Sequence, residues 1–306
     1  MFRTLLLAGA AIAIAGAAQA RELKAVGVTV GTLGNPYFIA VGEGITDAAH
    51  QANPQAKVTV SSADYDLNKQ FTQIDNFIAA GVDMIVVNAA DPRAIAPAIK
   101  RAQAAGITVV GVDVAAQGAD ATVQTNNVQA GEISCKFMAD AIGGKGNVVI
   151  ENGPQVSAVI DRVNGCKKVL SGYPDIKLLS SDQDAKGSRD GGLNVMQGYL
   201  TRFPSIQGLF AINDPQAIGS DLAAKQLNRT GIVITSVDGA PDIVGALKGQ
   251  TQVQASASQD PYAMGKLAVE TGLGIMNGKK PDDPMILMPS QLITRDNVGS
   301  YPGWTR

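Results

Sequence analysis

Histidine is almost absent from this chain: His50 is the single example in 306 residues, and Cys135 and Cys166 are the only two cysteines. That scarcity argues against nucleophile–base pairs and Cys/His metal clusters, and no G-x-S-x-G elbow compensates for it. Aromatic residues make up 5% of the chain against 45% apolar residues overall. An alanine- and valine-rich balance of this kind suits βα units rather than a β-sandwich. Neither sign of charge dominates, since the formal net charge is −2 and the lysines are scattered. This argues against nucleic acid as a partner, and the lack of a basic amphipathic segment argues against membrane-surface binding. Past residue 20 no apolar run approaches the length needed to span a bilayer.

The first twenty residues read differently from the rest. Arg3 supplies a short basic region, Leu5 to Ala15 an apolar, alanine-rich one, and Ala18-Gln19-Ala20 a small-x-small cleavage pattern. These are the marks of a cleaved secretory signal over 1–20, with the mature chain starting at Arg21. No cysteine follows the cleavage point, so a lipid anchor is not expected. Export to an oxidising compartment bears on Cys135 and Cys166, which fall in consecutive helical segments across one strand. A bridge between them would stabilise by about 3–4 kcal/mol on loop-entropy grounds; the alternative is two buried thiols acting as small hydrophobes. Catalysis by either thiol is disfavoured, because His50 lies in a distant helix.

The remaining length exceeds the usual size of one domain and points to two units of shared α/β architecture. Apolar runs at 24–30, 57–61, 83–87, 107–112, 146–150, 176–180, 207–211, 232–237 and 252–256 read as strands. Helical segments at 36–52, 67–80, 92–105, 127–142, 157–172, 188–203, 215–228, 241–248 and 261–277 alternate with them. Asn35-Pro36, Asp91-Pro92, Asp214-Pro215 and Asp260-Pro261 read as N-cap plus first-turn proline. Gly81, Gly106, Gly143, Gly172 and Gly231 mark helix ends. The expected fold class is α/β, with doubly wound parallel sheets. There is no low-complexity linker, so a boundary must fall inside the pattern, and the polar stretch Gln124–Asn127 is the best place for it.

Ligands of open α/β sheets bind outside the carboxyl ends of the strands. There the sequence places Asn35, Tyr37 and Phe38 after the first strand, Asn88, Asp113, Asn213 and Asp238 after later ones, and Gln259 before the Asp260 cap. Arg162 lies one turn into the helix after the loop Asn152–Ser157. Carboxylates, amides and a guanidinium suit a neutral, polyhydroxylated guest, whose hydroxyls both donate and accept. Aromatic rings would cover its C–H faces. Each residue also has a structural reading: Asn35, Asp91, Asp214 and Asp260 as caps, Asn88 and Asn213 as turn residues, Tyr37 and Phe38 as hydrophobic staples. Asp113 and Asp238 precede Gly- or Ala-rich loops, and capping explains them less well.

The stretches VGTLGNPYF, VVNAADPRAI, GLNVMQ, LFAINDPQAIG, VDGAPD and SQDPYAMGK, in order, carry a resemblance over Leu23 to Val298. The chain resembles periplasmic sugar-binding proteins of the ribose-binding type, the substrate-binding components of ABC importers. The resemblance implies two similar lobes, 21–125 plus 260–288 and 126–259 plus 289–306, joined by three crossover strands and closing on a sugar by a hinge. It implies a non-enzymatic, periplasmic, monomeric protein with no cofactor or metal, and a membrane permease as partner. The same nine residues named above, Asn35, Tyr37, Phe38, Asn88, Asp113, Arg162, Asn213, Asp238 and Gln259, match family ligand contacts. Three positions depart from the pattern. Val114 stands where an arginine often follows the aspartate, Val237 where an aromatic often precedes one, and Gly187 at a further aromatic position. The guest is therefore some monosaccharide or sugar alcohol, not necessarily ribose. An exported sugar-acting enzyme, a binding protein read by a chemoreceptor or sensor kinase, and a repressor of related fold are the alternatives. The missing catalytic groups argue against the first, and the export signal argues against the last.

Overall fold

The protein is described here by a computed structural model of residues 21–304; the expected signal sequence and its cleavage point lie outside the described residues. Two six-stranded sheets form the frame. The first contains β1 (Ala25–Val30), β2 (Lys57–Ser62), β3 (Met84–Val87), β4 (Thr108–Val112), β5 (Ala121–Thr125) and β11 (Met285–Met288), in the order β11-β5-β4-β3-β1-β2. The second contains β6 (Lys145–Glu151), β7 (Asp175–Ser180), β8 (Gly208–Ala211), β9 (Val233–Asp238), β10 (Val253–Ser258) and β12 (Leu292–Thr294), in the order β12-β10-β9-β8-β6-β7. Strand pairing is parallel except for the β10–β12 edge. Helices cover both faces, so central strands such as Met84–Val87 are buried along their whole length, as parallel sheets require. The chain passes from one sheet to the other after β5, after β10 and after β11, which makes a three-strand hinge between two α/β lobes.

The helices are α1 (Pro36–Ala52), α2 (Leu67–Ala79), α3 (Ala96–Ala104), α4 (Asn127–Ala141), α5 (Ser157–Leu170), α6 (Arg189–Arg202), α7 (Asp214–Gln226), α8 (Pro241–Lys248) and α9 (Pro261–Met276). Most follow the expected spans, with two instructive shifts. Asp91 accepts from the backbone N–H groups of Arg93 and Ala94, but it caps a single turn, and α3 begins only at Ala96. The cap of α7 is Asn213, whose Oδ1 accepts from Gln216 N, whereas Asp214 is the first helical residue and is fully buried. Three strands, β5, β11 and β12, were absent from the sequence pattern and all lie at or beside the hinge.

Helices α4 and α5 approach closely at Gly131 and Gly165, where an added Cβ would collide with the backbone carbonyls of Arg162 and Val128. A disulfide joins Cys135 of α4 to Cys166 of α5, with Cα atoms 5.1 Å apart. This clamped pair carries Arg162 toward the space between the lobes. Among the described residues no helix is long and apolar enough to cross a membrane.

Candidate functional site

The strand ends of both sheets face one small cavity of about 40 Å³, lined by all nine residues singled out by the sequence together with Tyr65, Val114, Val156 and Ile212, among others. The lobes are closed around it: Ala115 N donates to Ser157 Oγ at 2.7 Å, from the β4 loop to the start of α5. A cavity this size has room for a few water-sized groups and none for a disaccharide.

In the first lobe, β4 ends in Asp113, held at a left-handed φ of 68°. Its Oδ1 accepts from Tyr37 Oη at 2.8 Å and its Oδ2 from Asn88 Nδ2 at 2.8 Å. The second bond fixes the Asn88 amide, and Asn88 Oδ1 is left buried without a protein partner. Such an acceptor is costly unless something donates to it. Asn35 caps α1 by accepting from Tyr37 N at 2.9 Å. Phe38 lies edge-on to Tyr37 on one side and to Tyr65 on the other, with ring centroids 5.4 and 6.4 Å apart.

In the second lobe, Arg162 is almost wholly buried. Its Nε donates to Asn127 Oδ1 and its Nη1 to the Ile212 carbonyl, each at 2.8 Å, and Nη1 lies 3.5 Å from Asp238 Oδ1. Asp238 sits at the end of β9 with φ 141°, a conformation L-residues rarely adopt. Strain held at two carboxylates that face one cavity is the kind of backbone outlier that points to function. Asn213 also lines the cavity, but its amide is occupied by the backbone: Oδ1 accepts from Gln216 N and Nδ2 donates to Gly187 O. Gly187 has φ 62°, a left-handed value that glycine adopts without steric cost.

Gln259 ties the halves together. Its Nε2 donates to Asp238 Oδ1 at 2.7 Å, while its Oε1 accepts from Thr125 Oγ1 at 2.6 Å and from Tyr37 Oη at 3.2 Å. The Tyr37 ring is therefore a buried support between Asp113 and the hinge, while Phe38 and Tyr65 supply the aromatic wall.

Burial disfavours the charged form of each carboxyl. It raises Asp113, against the pull of Arg162, and pushes Asp238 up to about 6, again against Arg162. Asp214, behind Asp238, is raised well above the usual range by burial and then by the Asp238 charge. Its Oδ1 accepts from Ser236 and Ser256, and its Oδ2 from Ala240 N. Burial likewise raises the Tyr37 and Tyr65 hydroxyls. Two carboxyls and one guanidinium offer no net positive field for an anion, and acceptors such as Asn88 Oδ1 suit hydroxyl donors. No group of acidic, histidine or cysteine residues able to hold a metal occurs among the described residues.

Tyr65, Val114 and the Val156–Val159 edge were missed as lining residues or seen only as departures. Tyr65 could have been found, because it follows β2 just before the Asp66 cap of α2, the strand-end position used elsewhere.

Comparison with known proteins gives the same picture. A family model described as a periplasmic binding protein domain matches residues 26–280. The xylitol-binding protein of Mycolicibacterium smegmatis is 35% identical over 90% of this chain and 79% of its own length. The ribose import binding protein of Bacillus subtilis is 34% identical over 83% of this chain and 82% of its own. Among solved structures, an ABC transporter solute-binding protein from Actinobacillus succinogenes with bound D-allose has a TM-score of 0.83 at 29% identity, covering 91% of this chain and 100% of that one. One from Mycobacterium smegmatis with bound glycerol has a TM-score of 0.85 at 27% identity, covering 92% and 98%. The chain belongs to the family of periplasmic binding proteins, which bind solutes for transporters and are not enzymes.

Proposed function

We propose that this protein captures a monosaccharide or a short sugar alcohol between its lobes and delivers it to the permease of an ABC importer. The observation that carries the reading is the meeting of Asp113 and Asn88 from one lobe with Arg162 and Asp238 from the other in one closed cavity. Asn88 and Arg162 line the cavity and supply the guest with an amide acceptor and a guanidinium donor, and the two carboxyls accept further hydroxyl protons. The relatives named for xylitol and ribose support a guest of this chemical class. Phe38 and Tyr65 cover its C–H bonds on one side, and Val114 and Ile212 bound it elsewhere.

The guest closes the lobes because it bonds to both of them and therefore favours the closed state by its differential affinity. The lobes are 21–125 plus 260–288 and 126–259 plus 289–306, with Gln259 at the hinge. The protein works as a monomer after removal of residues 1–20, and a permease rather than a chemoreceptor reads the closed form. Co-purification with an importer membrane subunit, against a receptor ectodomain, separates those partners.

A thermal-shift panel of xylitol, D-ribose, D-allose, glycerol and free amino acids tests the ligand class. One small group of neutral polyols stabilises the protein strongly, and Asp113→Ala or Arg162→Ala abolishes the shift. Stabilisation by amino acids with none by any polyol would overturn the reading.

A further inference from the structure

The segment after β12 is not part of the βα alternation, yet it reaches the cavity's supporting residues. Arg295 anchors its base, donating to the carbonyls of Gly249, Thr251 and Val253 in the second lobe. Tyr301 Oη then donates to Gly239 O at 3.1 Å, and Trp304 Nε1 donates to Asp238 O at 3.0 Å. Gly239, at φ 69°, is approached so closely that an added Cβ would meet Tyr301 Oη and the Ile293 side chain. The segment is thus seated on the β9–α8 turn that holds Asp238. Its tip crosses to the other lobe: the Trp304 ring meets the Tyr37 ring edge-on at 5.9 Å and packs against the apolar cluster around α1.

We propose that Trp304 is an interlobe latch and a positioning residue for ligand binding. The proposal rests on the reading of the cavity as a polyol site. Trp304 holds the backbone carbonyl of one ligand-facing residue, Asp238, and the ring of Tyr37, whose hydroxyl donates to another, Asp113. Asp238 belongs to β9 and Tyr37 to α1, so both contacts exist together only when the lobes are closed. A contact made in one state alone shifts the balance toward that state. The latch therefore slows ligand release and leaves capture little changed.

The protein carries its own reporter, because Trp304 is the only tryptophan in the sequence. The test pairs calorimetry with tryptophan emission, using xylitol and D-ribose as probes. In the wild-type protein, saturation with the probe that gives heat shifts Trp304 emission to the blue and protects it from acrylamide quenching. In Trp304→Leu, the loss of the aromatic pair and the N–H bond weakens affinity roughly 3- to 10-fold, and stopped-flow release carries the change. Tyr301→Phe, which loosens the seat without touching the ring pair, moves release in the same direction by less. A merely structural role would lower the melting temperature of sugar-free protein and leave release unchanged. Heat of binding without a change in Trp304 emission, or wild-type release in Trp304→Leu, overturns the latch while the polyol site stands. Absence of heat with both probes and also with D-allose and glycerol overturns the polyol reading, and the latch with it.

Discussion

Asp238 makes affinity depend on pH in a direction that can be worked out. Burial pushes its carboxyl up to about 6, with Arg162 3.5 Å away pulling the other way. A sugar hydroxyl donating to this carboxyl favours the ionised form, so binding is strongest above about pH 6 and weakens below it. One unit below its pKa roughly a tenth of the carboxyl is ionised, which lowers affinity about tenfold, or about 1.4 kcal/mol. Asp113 is raised by the same burial, so its protonation acts in the same direction. The stability of the ligand-free protein slopes the other way. A carboxyl whose folded pKa lies above its unfolded value of about 3.9 favours folding at low pH, and that contribution declines as pH rises from about 4 through about 6. Calorimetric titration of xylitol or D-ribose at about pH 5 and about pH 7.5, with circular dichroism to confirm folding, reads the first slope. Chemical denaturation without ligand reads the second. In Asp238→Asn the affinity is lower and its pH profile flatter. Equal or tighter binding by the wild-type protein at about pH 5 refutes the assignment of Asp238 as an ionised acceptor.

Further outcomes follow from other parts of the structure. Replacing both Cys135 and Cys166 by alanine opens a link spanning 31 residues and lowers stability by about 3–4 kcal/mol in urea titration; an unchanged midpoint would contradict that. Glu151 is fully buried, accepts from Ser220 at 2.7 Å, leaves Oε2 without a partner, and is raised well above the usual range by burial. Glu151→Gln therefore leaves stability about unchanged below about pH 4, where the carboxyl is protonated in both states, and increases it near pH 8, where ionisation favours the unfolded wild-type chain; a loss at both pH values counts against this. Gly187→Ala, at φ 62°, destabilises by about 1 kcal/mol through backbone strain alone, measurable as a lower denaturation midpoint.

Most of the frame is legible in the chain, because parallel strands buried on both faces must be continuous apolar runs and their helices carry strong caps. Helices α1 and α8 occupy the expected spans, 36–52 and 241–248. The failures have physical causes. Strand β5, Ala-Thr-Val-Gln-Thr, hides because Thr122, Gln124 and Thr125 are polar yet buried at the hinge. Strands β11 and β12 are four- and three-residue edge strands that break the alternation. The Asp214 side chain turns inward to Ser236 and Ser256 instead of capping its helix, because Asn213 already does so.

The site divides in the same way. Which residues face the cavity follows from the strand-end rule, and all nine line it. What each does there depends on partners far away in the chain. Tyr37 and Gln259 are 222 positions apart, and only their meeting shows that Tyr37 braces the hinge. Asn213 and Asn88 look equivalent in sequence. The backbone occupies both ends of the first amide, whereas the oxygen of the second is buried without a protein partner. Trp304 lies beyond the last recognisable βα unit, where no local pattern reveals that it spans both lobes.

A crystal structure of the protein grown with the polyol that stabilises it most gives the most direct test. The account predicts one ligand molecule between the lobes, with hydroxyls bonded to Asp113 and Asn88 on one side and to Arg162 and Asp238 on the other. A ligand bound to one lobe alone, or seated away from these four side chains, would contradict it.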